Sequence, residues 1–509
     1  MKPSEPTASA QNKKGLKRDL GTLQSYATII GIFIGAGAFV VTARAGADAG
    51  PSVPLAYLLM GPIILATSVS YMVYLSTPLG MRPGGAYIHI SRTFGRYYPG
   101  FIAMWMKLVG FLGALSVLAV SFADYTAFFL TGDAPAYFRP IVASLCLTLL
   151  YAVNIFGVRY YGWMQTIMSF ILLVAVALMV IPGLFHVEMA NYSPFLPYGW
   201  DGFFTAMATL FFGYAGFESL AQTAGETRNP RKTLPKVFLN GILISVAIYV
   251  LIAFVAFGVL PHQELAASES AMADVASVYL PVGAAGIVAI GALMAFMTSI
   301  NGSILVPSRT LMVFAEDRVL PEFKFLGRQA DRWQKRANRG RGLGAASLAV
   351  GAFLGRRLGG MLNLAAVSDR FGTPHMSLGL CLSISLALIW TETIDYMLTV
   401  ALQGLFILYV VHAFALICLP FVRPALYRTA RIRFTPPFLI ACSLLSMSTI
   451  IWFSKELFTS DPRVLVLLGV WVTIGTLLYW MAIWEGRADG FDYDKRLVEE
   501  WLETDSKSR

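Results

Sequence analysis

The chain has 509 residues, of which 57% are hydrophobic and only 13% are charged, and its formal net charge is +10. Soluble domains carry roughly 25% charged residues, so this composition excludes an ordinary soluble protein and indicates an integral membrane protein. A basic net charge can indicate nucleic-acid binding, but here the basic residues lie almost entirely between apolar runs.

Twelve apolar runs are long enough to cross a membrane, which takes roughly 20 helical residues for a hydrocarbon core of about 30 Å. They lie near residues 22–45, 54–77, 99–130, 138–157, 161–182, 202–224, 238–260, 281–315, 376–391, 396–420, 435–454 and 464–484. A transmembrane β-barrel would show alternating segments of roughly ten residues, whereas these runs are longer and do not alternate. The predicted fold class is therefore an all-α integral membrane protein with twelve transmembrane helices.

The basic residues are distributed unevenly between the two sides of the predicted bundle. With the N-terminus inside the cell, 34 of the 39 lysines and arginines lie on the cytoplasmic side and four outside, whereas Lys107 lies within a span. This is the positive-inside asymmetry of membrane proteins. We therefore expect a multi-pass protein of the cell membrane with both termini in the cytoplasm, some attraction to membrane lipid and no nucleic-acid partner.

Two of the predicted spans contain glycines at matching places. The first span contains GIFIGAGAFV, residues 31–40, and the sixth contains LFFGYAGFES, residues 210–219. A helix that unwinds in the membrane must give its freed backbone groups a partner or a cavity. Each of these spans opens a group of five, so the second group enters the membrane in the opposite orientation, as in secondary transporters that bind substrate between two broken helices. The alternative is that the glycines serve close helix packing alone.

Four segments carry a family likeness. They are IGAGAF at 34–39, FFGYAGFESLAQTAGETRNPRKTLPKV at 211–237, NGSILVPSRTLMVFAEDRVLP at 301–321 and RFGTPH at 370–375. These segments resemble the first, sixth, eighth and ninth spans of the amino acid, polyamine and organocation (APC) superfamily of transporters. The resemblance implies the leucine-transporter fold, in which five spans are followed by five inverted spans, with two additional C-terminal helices.

The resemblance also implies a substrate site at the two glycine-containing spans. The backbone amides expected to bind the carboxylate of an amino acid belong to Gly35, Ala36, Gly37 and Ala38. The carbonyls expected to bind its ammonium lie near Ile34, Phe212, Gly213 and Ala215. In the family an aromatic gate stands at the position of Phe212, with Tyr214 lining the same turn; the alternative for Phe212 is a lipid or packing contact.

Two charged residues at membrane depth are candidates for coupling or gating. An unpaired carboxylate in a span costs at least about 2.5 to 3.5 kcal/mol, so Glu218 must be paired, hydrated or protonated. The resemblance implies a role for it in proton coupling or cytoplasmic gating, and the alternative is a hydrogen bond that braces the broken helix. Members of the family do not usually carry a lysine at the position of Lys107; it replaces a cation site, pairs with Glu218, binds an acidic substrate or snorkels to the membrane surface.

Polar groups in other spans leave further possibilities open. Thr298 and Ser299 place two hydroxyls toward the first-span interruption, where sodium-dependent members of the wider fold bind Na⁺, although such hydroxyls also cap their own helix turns. Asp124 and His412 belong either to a proton path or to local hydrogen bonds. The family often has a glutamate where this chain has Leu75, so a gating pair that uses that acid is missing.

The runs and the resemblance divide the chain into five regions. Residues 1–19 form a disordered cytoplasmic tail, 20–200 the first five-helix repeat, 201–425 the inverted second repeat, 426–485 helices 11 and 12, and 486–509 a second cytoplasmic tail. The second repeat includes an inserted cytoplasmic or interfacial segment at 328–367, for which the sequence suggests no function.

These observations favour a secondary active transporter of amino acids or related amines that works by alternating access. Proton-coupled symport and substrate exchange are the expected energy sources, with H⁺ favoured over Na⁺ as coupling ion. The alternatives are a polyamine or organic cation antiporter, a non-transporting receptor and a membrane enzyme. Only five histidines are present, with no metal-ligand spacing and no nucleophile elbow, so we expect no catalysis, no metal and no cofactor.

Overall fold

The computed structural model describes residues 16–35, 37–127, 135, 137–268, 270–281, 283–321, 364, 367–368, 371–391, 394–460 and 463–497. Within these ranges the regular structure is helical, and no β-strand is formed. The predicted all-α class is therefore confirmed for this part of the chain. The inserted segment 328–367 lies outside the described residues, apart from Leu364 and Val367.

The described helices fall into two groups along the chain. The N-terminal group comprises α1 (Thr22–Phe33), α2 (Thr42–Ala49), α3 (Val53–Ser76), α4 (Ala86–Phe94), α5 (Tyr97–Ala127), α6 (Phe138–Ile155) and α7 (Val158–Gly183). The second group comprises α8 (Gly199–Gly213), α9 (Ser219–Gln222), α10 (Pro230–Val259), α11 (His262–Ala267), α12 (Ala271–Tyr279), α13 (Ala284–Glu316), α14 (His375–Trp390), α15 (Ile394–Val422), α16 (Pro424–Arg428), α17 (Pro436–Ser460) and α18 (Arg463–Ala488).

Ten segments in the described part of the chain are long and apolar enough to cross a membrane. The predicted spans at 202–224 and 376–391 are not among them. The first of these is divided, because α8 ends after 15 residues, which gives a length of about 22 Å at 1.5 Å per residue. The second corresponds to α14, an apolar helix of 16 residues.

Both glycine-containing spans are interrupted where the sequence predicts. In the first span α1 ends at Phe33, and a π-helical turn at Gly37–Val41 leads into α2. In the sixth, non-helical residues 214–218 separate α8 from α9. Gly216 has φ = +99°, a left-handed conformation that residues with a side chain rarely adopt. The sequence thus breaks the helix at a residue that tolerates the required backbone angle.

The interrupted helices lie inside the bundle. α1 packs against α7, α10 and α13, while α15 packs along α5 and α10 packs along α3. Large apolar residues are exposed on the outer helices instead, among them Leu145, Phe170, Leu243, Leu444 and Leu477. Such an extended exposed apolar surface is typical of contact with lipid, so the protein is a multi-pass membrane protein with its polar interior shielded.

The two ends of the described chain lie at one face of the bundle, which we call the terminal face. Near the N-terminus, the amide of Leu20 donates to the carbonyl of Glu226 at 3.0 Å, and Arg18 donates to the carbonyl of Met81 at 2.7 Å. Near the C-terminus, Arg496 contacts Asp317 at 3.3 Å. The chain ends therefore bind the loops that follow α3, α9 and α13.

Candidate functional site

The two helix interruptions meet at a pair of glycines. A Cβ atom added at Gly37 would lie 2.5 Å from the Cα atom of Gly213 and 2.6 Å from the hydroxyl of Tyr249. Real side chains essentially never approach backbone that closely. The two interruptions are thus in direct backbone contact, and this contact requires glycine at position 37.

Hydroxyl groups from neighbouring helices bind the carbonyls at the end of α1. Tyr249 of α10 donates to the carbonyl of Phe33 and, at 2.6 Å, to that of Gly213. From α13, Thr298 donates to the carbonyl of Gly31 at 2.8 Å and Ser299 to that of Ile32 at 3.2 Å. The predicted placement of Thr298 and Ser299 beside the first interruption is therefore confirmed, and their hydroxyls act there as hydrogen-bond donors.

Three buried tyrosines pack against one another beside the interruptions. The rings of Tyr57 and Tyr249 stack with centroids 4.7 Å apart, and Tyr214 meets Tyr249 edge-on at 4.9 Å. Tyr57 also donates to the carbonyl of Gly37 at 3.2 Å. Sequence reasoning missed Tyr57 and Tyr249. The only signal was a tyrosine hydroxyl in the middle of an apolar span, which needs a partner when buried.

The glycines of the first span have different neighbours. A Cβ atom at Gly31 would meet side-chain atoms of Gln165 and Ser169, each at 2.7 Å, so Gly31 serves helix packing. At Gly35 it would lie 1.6 Å from the hydroxyl oxygen of Ser299. The amide of Ala38 donates to the carbonyl of Gly35 at 3.1 Å, so this amide is engaged within its own turn.

A cavity lies between the two interruptions and helices α5, α13 and α15. Five of the predicted site residues line it, namely Gly37, Gly213, Ala215, Glu218 and Ser299. Six others do not line it, namely Ile34, Gly35, Ala38, Lys107, Tyr214 and Thr298. Ala36 and the side chain of Phe212 fall outside the described residues, so the predicted aromatic gate stays a prediction.

A buried ion pair stands at the second interruption. The ammonium of Lys107 donates to Oε1 of Glu218, and the hydroxyl of Tyr409 donates to Oε2. Lys107 is 1% exposed and Glu218 3% exposed. The ammonium also lies over the ring of Phe111, 4.6 Å from its centroid. Of the alternatives for Lys107, pairing with Glu218 is confirmed and snorkelling is wrong, because the side chain is buried between α5, α15 and the interruption.

The other ionisable candidates lie away from the cavity. Asp124 forms an exposed ion pair with Arg139, with Nε and Oδ1 2.5 Å apart. His412 is buried, with Nδ1 2.9 Å from the hydroxyl of Ser70 and Nε2 3.0 Å from Nδ1 of His89. Both candidates thus have the local hydrogen bonds that the sequence left as an alternative to a proton path.

Two further buried ion pairs near the terminal face were not predicted. Arg309 pairs with Glu226 at 2.8 Å, with both side chains fully buried, and Arg92 pairs with Asp317 at 2.9 Å. Burial of Asp317 disfavours its charged form, but the adjacent Arg92 and Arg496 and a hydrogen bond from Tyr87 hold its pKa below the usual value. These pairs connect segments more than 80 residues apart, so no local pattern signals them.

The described residues contain no group of three His, Cys, Asp or Glu side chains close enough to hold a metal ion. The polar groups at the cavity include backbone groups of the two helix interruptions and the carboxylate of Glu218, which is paired with Lys107. Such an arrangement is suited to binding a small zwitterionic molecule, because helix ends present partial charges of both signs.

Comparison with known proteins identifies a family and several related transporters. A family model described as "Amino acid permease" matches residues 20–477. Cationic amino acid transporter 9, chloroplastic, of Arabidopsis thaliana is 28% identical over 63% of this chain and 59% of its own length, so the match spans less than two thirds of that relative. The branched-chain amino acid permease BcaP of Bacillus subtilis is 26% identical, over 62% of this chain and 70% of its own. The serine/threonine exchanger SteT of the same species is 28% identical, over 60% and 70%.

Proposed function

Because the chain belongs to the amino acid permease family, within the APC superfamily, we propose that it is a secondary active transporter that moves amino acids across the cell membrane by alternating access. The observation that carries this proposal is the meeting of two interrupted helices at one cavity, with Gly37 against Gly213. Unwound segments of this kind are where secondary transporters bind substrate and coupling ions. The chemistry required is reversible binding, which needs no catalytic group.

The proposed site recognises the part that all amino acids share. Amides at Gly35, Ala36 and Gly37 bind the substrate carboxylate, and that of Ala38 joins them by releasing the carbonyl of Gly35. Carbonyls of Ile34, Phe212, Gly213 and Ala215 bind the substrate ammonium. The relatives are named for cationic, branched-chain and hydroxyl-bearing amino acids, which supports recognition of the common α-amino acid group. In this arrangement Tyr249 holds the carbonyls of Phe33 and Gly213 until substrate arrives.

The proposed architecture is twelve transmembrane helices, arranged as five plus five inverted spans followed by two more. The repeats occupy 20–200 and 201–425, and helices 11 and 12 occupy 426–485. Interruption of the first and the sixth predicted span supports this arrangement, since each opens one repeat. The positive-inside asymmetry of the chain supports a cytoplasmic location for the terminal face and for the tails, 1–19 and 486–509.

The proposed coupling site is the cluster of Glu218, Lys107 and Tyr409, with H⁺ as coupling ion. A buried carboxylate that lines the substrate cavity changes the charge of the site when it takes up a proton. Thr298 and Ser299 donate their hydrogens to carbonyls of α1, so in this structure their hydroxyls stabilise the end of that helix.

Transport into proteoliposomes tests the proposal. The purified protein is reconstituted, and uptake of a panel of radiolabelled amino acids is measured with and without imposed proton and sodium gradients, and with amino acid preloaded inside. We expect accumulation driven by a proton gradient or by internal substrate, with polyamines failing to compete. If no amino acid accumulates or exchanges under any of these conditions, the proposal is wrong.

The pH profile tests the role of Glu218 separately. We expect the uptake rate of Glu218→Gln to lose its dependence on pH between about 5 and 8, because the variant cannot exchange a proton at this position. Asp124→Asn, which removes an exposed carboxylate outside the cavity, serves as the matched control and should retain the wild-type profile. An unchanged profile in Glu218→Gln would exclude Glu218 as the coupling group.

A further inference from the structure

The carboxylate of Glu218, which lines the cavity, is paired with Lys107, whose side chain lies outside the cavity wall. Glu218 is the one ionisable side chain among the described residues that line the cavity. Both of its oxygens are occupied, one by the ammonium of Lys107 and the other by the hydroxyl of Tyr409. Lys107 itself does not line the cavity; its side chain extends from α5, whose Gly110 and Phe111 form the wall beside it.

The remainder of the cavity wall is apolar. Its side chains include Ile32, Phe111, Ala114, Leu118, Leu402 and Leu405, with hydroxyls supplied by Ser299 and Ser303. A substrate side chain held here therefore meets aliphatic and aromatic carbon, two hydroxyl groups and an ion pair whose net charge is zero. A charged side chain in such surroundings loses its hydration without gaining a free partner.

A cationic substrate would have to displace Lys107 from Glu218. Removing one partner from a buried ion pair leaves the other charge uncompensated, which is strongly unfavourable. The displaced ammonium would also repel the incoming one, since both would lie beside the same carboxylate. An anionic substrate faces the reverse problem, because it would have to compete with Glu218 for the lysine.

We propose that Lys107 is a specificity-determining residue, which restricts the substrate of this transporter to amino acids with uncharged side chains by occupying the one carboxylate in the cavity wall. The inference rests on the proposed transport of amino acids and adds the substrate class to it. The inference predicts that the charge preferred in the substrate side chain depends on which member of the ion pair is removed. Removal of the lysine alone creates a site for cations, removal of the carboxylate alone creates a site for anions, and removal of both restores a neutral site.

Competition against uptake in the wild-type protein is the first test. Radiolabelled substrate is taken from the panel used for the transport assay, and unlabelled leucine, lysine and glutamate are added over a range of concentrations. We expect half-maximal inhibition by leucine at a concentration at least 10-fold lower than by lysine or by glutamate. Equal or stronger inhibition by lysine or glutamate would overturn the inference while leaving amino acid transport intact, whereas absence of any amino acid uptake would overturn the proposed function itself.

Three variants then test how the preferred charge depends on the ion pair. In Lys107→Met we expect inhibition by lysine to improve at least 10-fold relative to leucine, and in Glu218→Gln we expect the same improvement for glutamate. The double variant should return to the wild-type preference. Arg139→Met, which removes a basic residue from an exposed pair outside the cavity, is the matched control and should not change the preference.

The variants are first checked for a monodisperse peak in detergent, because a buried unpaired charge can prevent folding. If either single variant is folded and its preference does not move toward the expected charge, the inference is wrong. If neither single variant folds, the wild-type competition and the double variant, which buries no unpaired charge, decide between a neutral site and a charged one.

Discussion

The two helix interruptions differ in the groups that pair with their buried polar atoms. At the first, hydroxyl groups of Tyr249, Thr298, Ser299 and Tyr57 bind the freed carbonyls. At the second, the polar groups include a carboxylate, and Lys107 compensates its charge. A neutral hydroxyl that is displaced by substrate finds another acceptor at modest cost, whereas a displaced ion leaves a buried charge. The first interruption is therefore suited to exchanging hydrogen-bond partners with a substrate, whereas the second is suited to keeping its ion pair while the substrate binds.

The sequence explains this contrast. No charged residue occurs from 22 to 43, so the first interruption has no charge of its own to compensate, and hydroxyl groups of other helices bind its carbonyls. The sixth span has Glu218 two residues after Gly216, and at membrane depth this carboxylate must be paired, hydrated or protonated. The following variants test the contrast, in order of decreasing expected effect.

Breaking the ion pair at the second interruption should have the largest effect. We expect Glu218→Gln to lower the free energy of unfolding by about 3–5 kcal/mol, because Lys107 is left buried without a counter-charge. The double variant Glu218→Gln with Lys107→Met should recover most of this loss. Unfolding in detergent, analysed as a double-mutant cycle, measures both values, and an additive loss in the double variant would contradict the pairing.

Filling the glycine contact should abolish substrate binding at the first interruption. We expect Gly37→Val to weaken binding at least 100-fold, or about 2.7 kcal/mol, because its side chain would overlap Gly213 and Tyr249. Gly379→Val is the matched control, since a Cβ atom at Gly379 meets nothing within 4 Å. Binding to purified, monodisperse protein gives the result, and wild-type affinity in Gly37→Val would disprove this placement of the site.

Removing a single hydroxyl at the first interruption should have a smaller effect. We expect Tyr249→Phe to lower the free energy of unfolding by about 1–3 kcal/mol, because the carbonyls of Phe33 and Gly213 lose a donor. The control is Tyr26→Phe, which removes a hydroxyl that accepts an exposed hydrogen bond from Asn240. Equal stability of Tyr249→Phe and the wild type would show that these carbonyls do not depend on Tyr249.

Breaking an exposed ion pair should have the smallest effect on the free energy of unfolding. Asp124 and Arg139 are 42% and 62% exposed, and exposed pairs contribute about 0–1 kcal/mol. We expect Asp124→Asn to lower the free energy of unfolding by less than about 1 kcal/mol, with a still smaller effect at high salt. A loss as large as that of Glu218→Gln would mean that burial does not distinguish the two pairs.

Much of the fold follows from local sequence, and the site follows only in part. The apolar runs identify most of the spans, and the glycines locate both interruptions, because helix length and helix breaking depend on residues close together in the chain. Glu218 is recognisable as a charge at membrane depth. The roles of Tyr57 and Tyr249 are not recognisable, because nothing local separates a tyrosine that binds a freed carbonyl from one that packs in the core.

By itself, the sequence determined that the chain crosses the membrane repeatedly as helices and that two spans are broken, since both depend on local hydrophobicity and backbone freedom. Only the tertiary structure decided that Lys107 pairs with Glu218 and is buried. Its partner lies 111 residues away along the chain, and a buried charge accepts whichever counter-charge the packing of α5 and α15 brings within hydrogen-bond distance. The partner of a buried charge is thus a property of helix packing, which the local order of residues does not encode.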